Sequence, residues 1–203
     1  TALADGLLRA TLLNEGFSGS NNAWTQTSAH PGDTQTDCDS WSFSANCYNA
    51  RSAVKVGGAS AVGWALSPEI TLSNEVSSAT VSLSFSAAAY QEKTTAFSVS
   101  IVDSATGETN AISSLTACSP AALGDASSAE WSGGADYAKP VTVPTRFKLL
   151  FETIDAAADK RLLLDSIKVA QVYDPDYAVL AAPTDVAGSD VSPTGFTVSW
   201  TGV

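Results

Sequence analysis

The sequence predicts an all-β fold, an antiparallel β-sandwich followed by a linker and part of a second β-module. Three observations carry this. Short apolar runs alternate with polar residues at strand period and at short spacing along most of the chain. No segment holds a helical apolar period over three turns. Only 15% of residues are charged, while Ser, Thr, Ala, Gly and Val are plentiful, the usage of an extracellular β-protein.

Residues 1–10 carry Leu7 and Leu8 without a decisive pattern. Leu12 to Phe17 reads as the first strand, with Leu13, Glu15 and Phe17 in one phase. Gly16, Gly19 and a Ser/Asn cluster end it and open a long loop holding Trp24, His30-Pro31-Gly32 and Asp37-Cys38-Asp39. Val54 and Val56 alternate against Ser and Lys. After Gly57-Gly58, Val62, Trp64 and Leu66 alternate again, which places Trp64 in the core. From Ala79 to Ala87 one face is apolar and the other is Thr or Ser, the clearest strand of the chain. Phe97, Val99 and Ile101 form the next, closed by the turn Asp103 to Gly107. Val141 and Val143 lie between Pro140 and Pro144, as an edge strand would, and Phe147, Leu149 and Phe151 follow.

Lys160 to Val169 closes the set, and here Asp165 interrupts an apolar run in phase with Leu163, Ile167 and Val169. Glu15 repeats the anomaly in the first strand. A carboxylate facing a core must be neutralised, paired or bound to a metal. The domain reading is therefore residues 1–172 for the sandwich, 173–183 for the linker around Tyr173-Asp-Pro-Asp-Tyr177, and 184–203 for a second module that stops before it could close.

Ten Lys plus Arg against twenty-one Asp plus Glu leave a net charge of -11, which repels phosphate backbones and argues against nucleic acid. No apolar run approaches the roughly 20 residues of a membrane span. The N-terminus has neither a basic region nor a cleavage-type apolar segment, so the chain reads as a soluble, mature or trimmed piece. Cys38, Cys47 and Cys118 lack zinc-site spacing. Two readings stand: a local Cys38–Cys47 disulfide, or three reduced thiols packed as small hydrophobes.

Catalytic signals are sparse. The single histidine, His30, sits in a predicted turn, and no Gly-x-Ser-x-Gly, phosphate loop or metalloprotease helix occurs, so a non-enzymatic role is expected. Loop aromatics are the candidates for stacking on sugar rings: Trp24, Trp41, Tyr48, Tyr90, Trp131 and Tyr137. Trp41 and Tyr48 beside the cysteine pair are preferred, with Tyr90 and Trp131 next. The competing reading has most of them plugging the sandwich ends.

Two stretches resemble known families. Ala-Pro-Thr-Asp-Val through Phe-Thr-Val-Ser-Trp resembles the first two strands of a fibronectin type III domain, with Trp200 as its core tryptophan. Residues 12–172 resemble the surface jelly-roll domains of Bacteroidetes-type bacteria, related to cleaved-adhesin and carbohydrate-binding-module sandwiches. Three pieces carry it: Asn14 to Gly19, Val54 to Ile70, and the closing Lys-Arg-Leu-Leu-Leu-Asp-Ser-Ile-Lys-Val, where Ser166 replaces a second Asp or Asn.

The resemblance implies a secreted or cell-surface, monomeric module for adhesion or carbohydrate binding, whose partner is a glycan or a host or cell-surface protein. It also implies a structural calcium between the first and last strands, held here by Glu15 and Asp165. The competing reading has Glu15 accepting backbone N–H bonds or meeting Arg51 or Arg161, and Asp165 capping a loop. Rival functions are an accessory domain of a larger secreted hydrolase or nuclease, and a spacer with no ligand.

Overall fold

The computed structural model describes residues 6–17, 40–49, 53–58, 61–74, 76–89, 96–118, 121–122, 135–154, 161–174, 184–192 and 195–201. Trp24, His30, Cys38, Arg51, Tyr90 and Trp131 lie outside them, as does the side chain of Trp200. Fifteen strands are described: β1 (Leu8–Glu15), β2 (Ser42–Phe43), β3 (Cys47–Asn49), β4 (Val54–Val56), β5 (Trp64–Leu66), β6 (Ile70–Thr71), β7 (Ser78–Ala89), β8 (Phe97–Asp103), β9 (Thr109–Ala111), β10 (Ala121–Ala122), β11 (Ala135–Pro144), β12 (Arg146–Thr153), β13 (Leu162–Tyr173), β14 (Thr184–Ser192) and β15 (Gly195–Thr201). The helical content among the described residues is one 3-10 turn, Ser113–Leu115.

A seven-stranded sheet runs β10-β7-β13-β4-β3, with β1 also on β13 and β11 also on β7. A six-stranded sheet runs β2-β5-β12-β8-β9, with β6 also on β12. Pairing is antiparallel except for the two-residue β10 against β7. The chain crosses repeatedly from one sheet to the other, as jelly-roll connectivity requires, and the two inner faces enclose one apolar core. β14 and β15 pair with each other as a separate two-stranded sheet.

The alternation in β7 is realised as expected: Val81, Leu83, Phe85 and Ala87 are buried, while Thr80 and Ser82 are exposed. Facing them across the core are Val99 and Ile101 of β8 and Phe147, Leu149 and Phe151 of β12. Phe85 sits edge-on to Phe151, with centroids 5.3 Å apart, and stacks on Tyr137 at 4.9 Å. β11 runs from Ala135 through Pro140 to Pro144, longer than the segment between the two prolines, and pairs with β7 alone, the edge position those prolines dictate. The Asp103 turn also forms: its Oδ1 accepts the N–H groups of Ala105 and Thr106, and Gly107 takes φ +76°.

β13 departs from the expected phase. Between Asp165 and Lys168 its register on β7 slips by one residue, a β-bulge with Ser166 in the left-handed region at φ +54°. The slip switches faces, so that Leu162 and Leu164 before it and Ile167 and Val169 after it all enter the core. Asp165 is consequently half-buried on the outer face, opposite Ser86, rather than aimed into the core. Leu163 is buried on the other face of the sheet, in a cross-strand row with Lys55 and Ala88.

Candidate functional site

Trp64 occupies the place that sequence alternation misassigned. In β5 the small residue Ala65 points inward, opposed by Phe43 on one side and Phe151 on the other. Trp41 fills the space beyond them, 6.2 Å from Phe43, 6.4 Å from Phe151 and edge-on to Phe17 at 5.3 Å. Three large rings leave room for no more than a methyl group at residue 65. The inward set is thus Gly63, Ala65 and Ser67, all buried, and the large residues Val62, Trp64 and Leu66 face out.

Trp64 is 37% exposed, Val62 45% and Ile154 50%, on the open face of the six-stranded sheet. Its cross-strand neighbours on that face are Glu152 and then Ser98. The next row is Ser42, Leu66, Leu150 and Ser100. Farther along the same face a cavity of about 240 Å³ is bounded by Leu66, Glu69, Asp103, Ser104 and Lys148. An indole flanked by a carboxylate, hydroxyls and an ammonium can stack on a sugar ring and bond its hydroxyls.

The backbone beneath Trp64 is held on both sides. On one, the turn between β2 and β3 supplies Ser44 Oγ as acceptor for Trp64 N–H (3.1 Å) and Ser44 N–H as donor to Trp64 C=O (3.0 Å). The Cys47 thiol donates to the same carbonyl at 3.2 Å, and Asn46 Nδ2 donates to Val62 C=O at 3.1 Å. On the other, Gly63 N–H donates to Thr153 Oγ1 at 2.8 Å, and Thr153 N–H donates to Gly63 C=O at 3.0 Å. A Cβ at Gly63 would lie 2.4 Å from Gly57 N, so no side chain fits there.

The preferred sequence candidates fare differently. Trp41 is 8% exposed and walled in by aromatic rings, so it is a core residue and not a sugar platform. Tyr137 is half-buried, stacked on Phe85. Tyr48 pairs with Lys55 through its backbone, and its side chain lies outside the described residues, as do Tyr90 and Trp131. Cys47 is a free thiol, not half of a Cys38–Cys47 disulfide; burial pushes its pKa up to about 11 and keeps it protonated.

Glu15 and Asp165 do come to adjoining strands. β1 pairs with β13, and Glu15 lies opposite Ile167, two residues from Asp165. Glu15 is 4% exposed, and one of its oxygens accepts Phe17 N–H at 2.7 Å. Asp165 Oδ1 accepts Ser166 N–H at 2.6 Å. Phe17 and Ser166, one beside each acid, both hold left-handed backbone at φ +46° and +54°. Backbone strain of this kind gathers at clamps and functional corners. Among the described residues no three His, Cys, Asp or Glu side chains group as a metal site.

The opposite sheet carries two buried cations, Lys55 at 0% exposure and Arg161 at 1%. Burial, helped by the Arg161 charge, lowers the Lys55 pKa to about 8. A groove of about 450 Å³ on this sheet, lined by Arg9, Ser82, Lys139 and Pro140, has no aromatic wall. Another of about 450 Å³ between β9 and β11 likewise has none. Trp64 is the one aromatic among the exposed large apolar side chains of the described residues.

No family model matches the chain, and no curated protein matches it in sequence. Solved structures similar to it include the K3 cleaved adhesin domain of Lys-gingipain from Porphyromonas gingivalis, at 16% identity and TM-score 0.47, covering 80% of this chain and 98% of that one. The CBM22-1 xylan-binding domain from Paenibacillus barcinonensis matches at 14% identity and TM-score 0.40, covering 79% and 93%. The CBM22-1-GH10 modules of a Clostridium thermocellum endo-1,4-beta-D-xylanase match at 12% identity and TM-score 0.42, covering 83% of this chain and 30% of that one.

Proposed function

We propose that this chain is a non-enzymatic glycan-binding or adhesion module of a secreted or cell-surface bacterial protein, and that it engages sugar on the open face of its six-stranded sheet. The observation that carries the reading is Trp64, a large ring kept out of the core by Phe43, Trp41 and Phe151 and set beside Glu152 and Ser98. A sheet face places these groups on rigid elements, so little ordering entropy is lost when a sugar docks. The resemblance of residues 12–172 to surface jelly-roll domains points the same way. A glycan array probed with the intact chain and with Trp64→Ala tests it. The wild type should bind one glycan class and the variant should lose at least tenfold in affinity. Equal binding by both, or none by the wild type, would sink the reading.

A structural calcium at the β1–β13 corner belongs to the same proposal. Glu15 and Asp165 would each give one carboxylate oxygen, and the ion would tie the first strand to the last. Melting temperature should rise in millimolar Ca²⁺ and fall in EDTA, and Asp165→Ala should abolish the difference. A wild type indifferent to both would leave these acids as acceptors of their local N–H groups.

A further inference from the structure

The Trp64 segment is an interior strand, β5 between β2 and β12, and side chains add to the ladder bonds that hold it. β5 is three residues long, yet Val62 C=O, Gly63 N–H and C=O, and Trp64 N–H and C=O each have a named partner outside it. Thr153 supplies those on the β12 side. The others come from four consecutive residues, Ser44 to Cys47, at the point where the chain leaves the six-stranded sheet at β2 and enters the seven-stranded one at β3. The turn is itself closed by Cys47 N–H donating to Ser44 C=O at 3.1 Å. Cys47 is 1% exposed and anchored in the core cluster, so the turn is tied to the core at one end and to Trp64 at the other.

We infer that Ser44, Asn46 and Cys47 are positioning residues for Trp64, a clamp that fixes where the indole stands on the open sheet face. The inference rests on the reading of that face as the sugar platform. A half-exposed ring on a loosely held backbone would have to be ordered by each ligand it met, whereas a clamped one is ordered in advance. The thiol is suited to this part because it stays protonated and donates throughout the physiological range.

The test uses the full chain labelled with 5-fluorotryptophan, whose five tryptophan signals include one assigned to Trp64 by its loss in Trp64→Phe. In Ser44→Ala/Asn46→Ala the Trp64 signal should shift and broaden at least twofold while the other signals stay in place. Ser44→Thr, which keeps the hydroxyl, should retain the wild-type signal. With xylohexaose and cellohexaose as probes, affinity of the double variant for whichever binds should fall about threefold to tenfold. An unchanged Trp64 signal overturns the clamp whatever the sugars do. Movement of every tryptophan signal together also overturns it, since that is general loosening. A Trp64 signal that moves alone while neither these sugars nor any array glycan binds supports the clamp and removes the glycan reading, so the two failures are distinct.

Discussion

At the scale of single residues, Ser166 marks where the closing strand changes phase. The position is a left-handed bulge at φ +54°, a conformation that Asn and Asp tolerate better than Ser. The constraint is one of backbone conformation, and Ser meets it imperfectly. Ser166→Asn should stabilise the chain by about 0.5–1 kcal/mol and Ser166→Val should destabilise it by more than about 1 kcal/mol, in urea unfolding. The reverse order would mean that the side chain, not φ, matters there. Lys55 makes a second residue-scale prediction. Its folded pKa of about 8 lies below the ordinary 10.5, so between those values the unfolded chain holds a proton that the folded chain releases. Stability contributed by Lys55 therefore rises with pH across that window, and below pH 8 the full cost of the buried charge is present. Unfolding of Lys55→Met should show its advantage over wild type at pH 7 and lose it by pH 10. A constant difference would contradict the lowered pKa. Comparison with the variant isolates Lys55, because Cys47, with its raised pKa, loses stability as pH climbs from 9 toward 11.

At the scale of elements, strands whose apolar residues alternate cleanly were legible. β7, β8 and β12 follow their period-two patterns, since a one-residue slip would turn every large side chain out of the core. The prolines likewise marked β11 as an edge. β5 was misread because alternation gives two phases without saying which is inner. The choice fell to volume: with Phe43 and Phe151 opposite residue 65, the inward set had to be the small one. That signal existed in the sequence, in the density of aromatics around 41–43 and 147–151, but it depended on knowing that β2, β5 and β12 are neighbours. The bulge in β13 was hidden for a related reason. Nothing in Leu-Leu-Leu-Asp-Ser-Ile announces an extra residue, because Leu163 has a buried place on either face. Glu15 was found correctly as a buried acid, and its strand correctly placed beside that of Asp165, because a charge in an apolar phase is costly wherever the strand lies. Trp41 stands in a loop-like stretch of sequence, and its burial shows that a residue next to a strand is decided by the cavity it can fill.

At the scale of the whole molecule, the two outer faces of the sandwich differ in kind. The seven-stranded sheet presents Ser and Thr from β7, with two buried cations toward one end, while the six-stranded sheet presents Trp64 with polar companions. The net charge of -11 adds a long-range preference, since anionic polymers are repelled and neutral ones are not. The proposed face, one indole with hydroxyls and a few charged side chains around it, suits an uncharged sugar chain. The calcium proposed at the β1–β13 corner would, by contrast, act on stability alone: its removal should lower the melting temperature without changing which glycan is recognised. The most direct measurement is the map of backbone amide shifts when the best array glycan is titrated into the isotope-labelled chain. The account predicts that the shifts cluster on Trp64, Glu152 and Ser98 and spread toward Leu66 and Lys148. Shifts centred instead on Arg9, Ser82 and Val172 of the other sheet would contradict it.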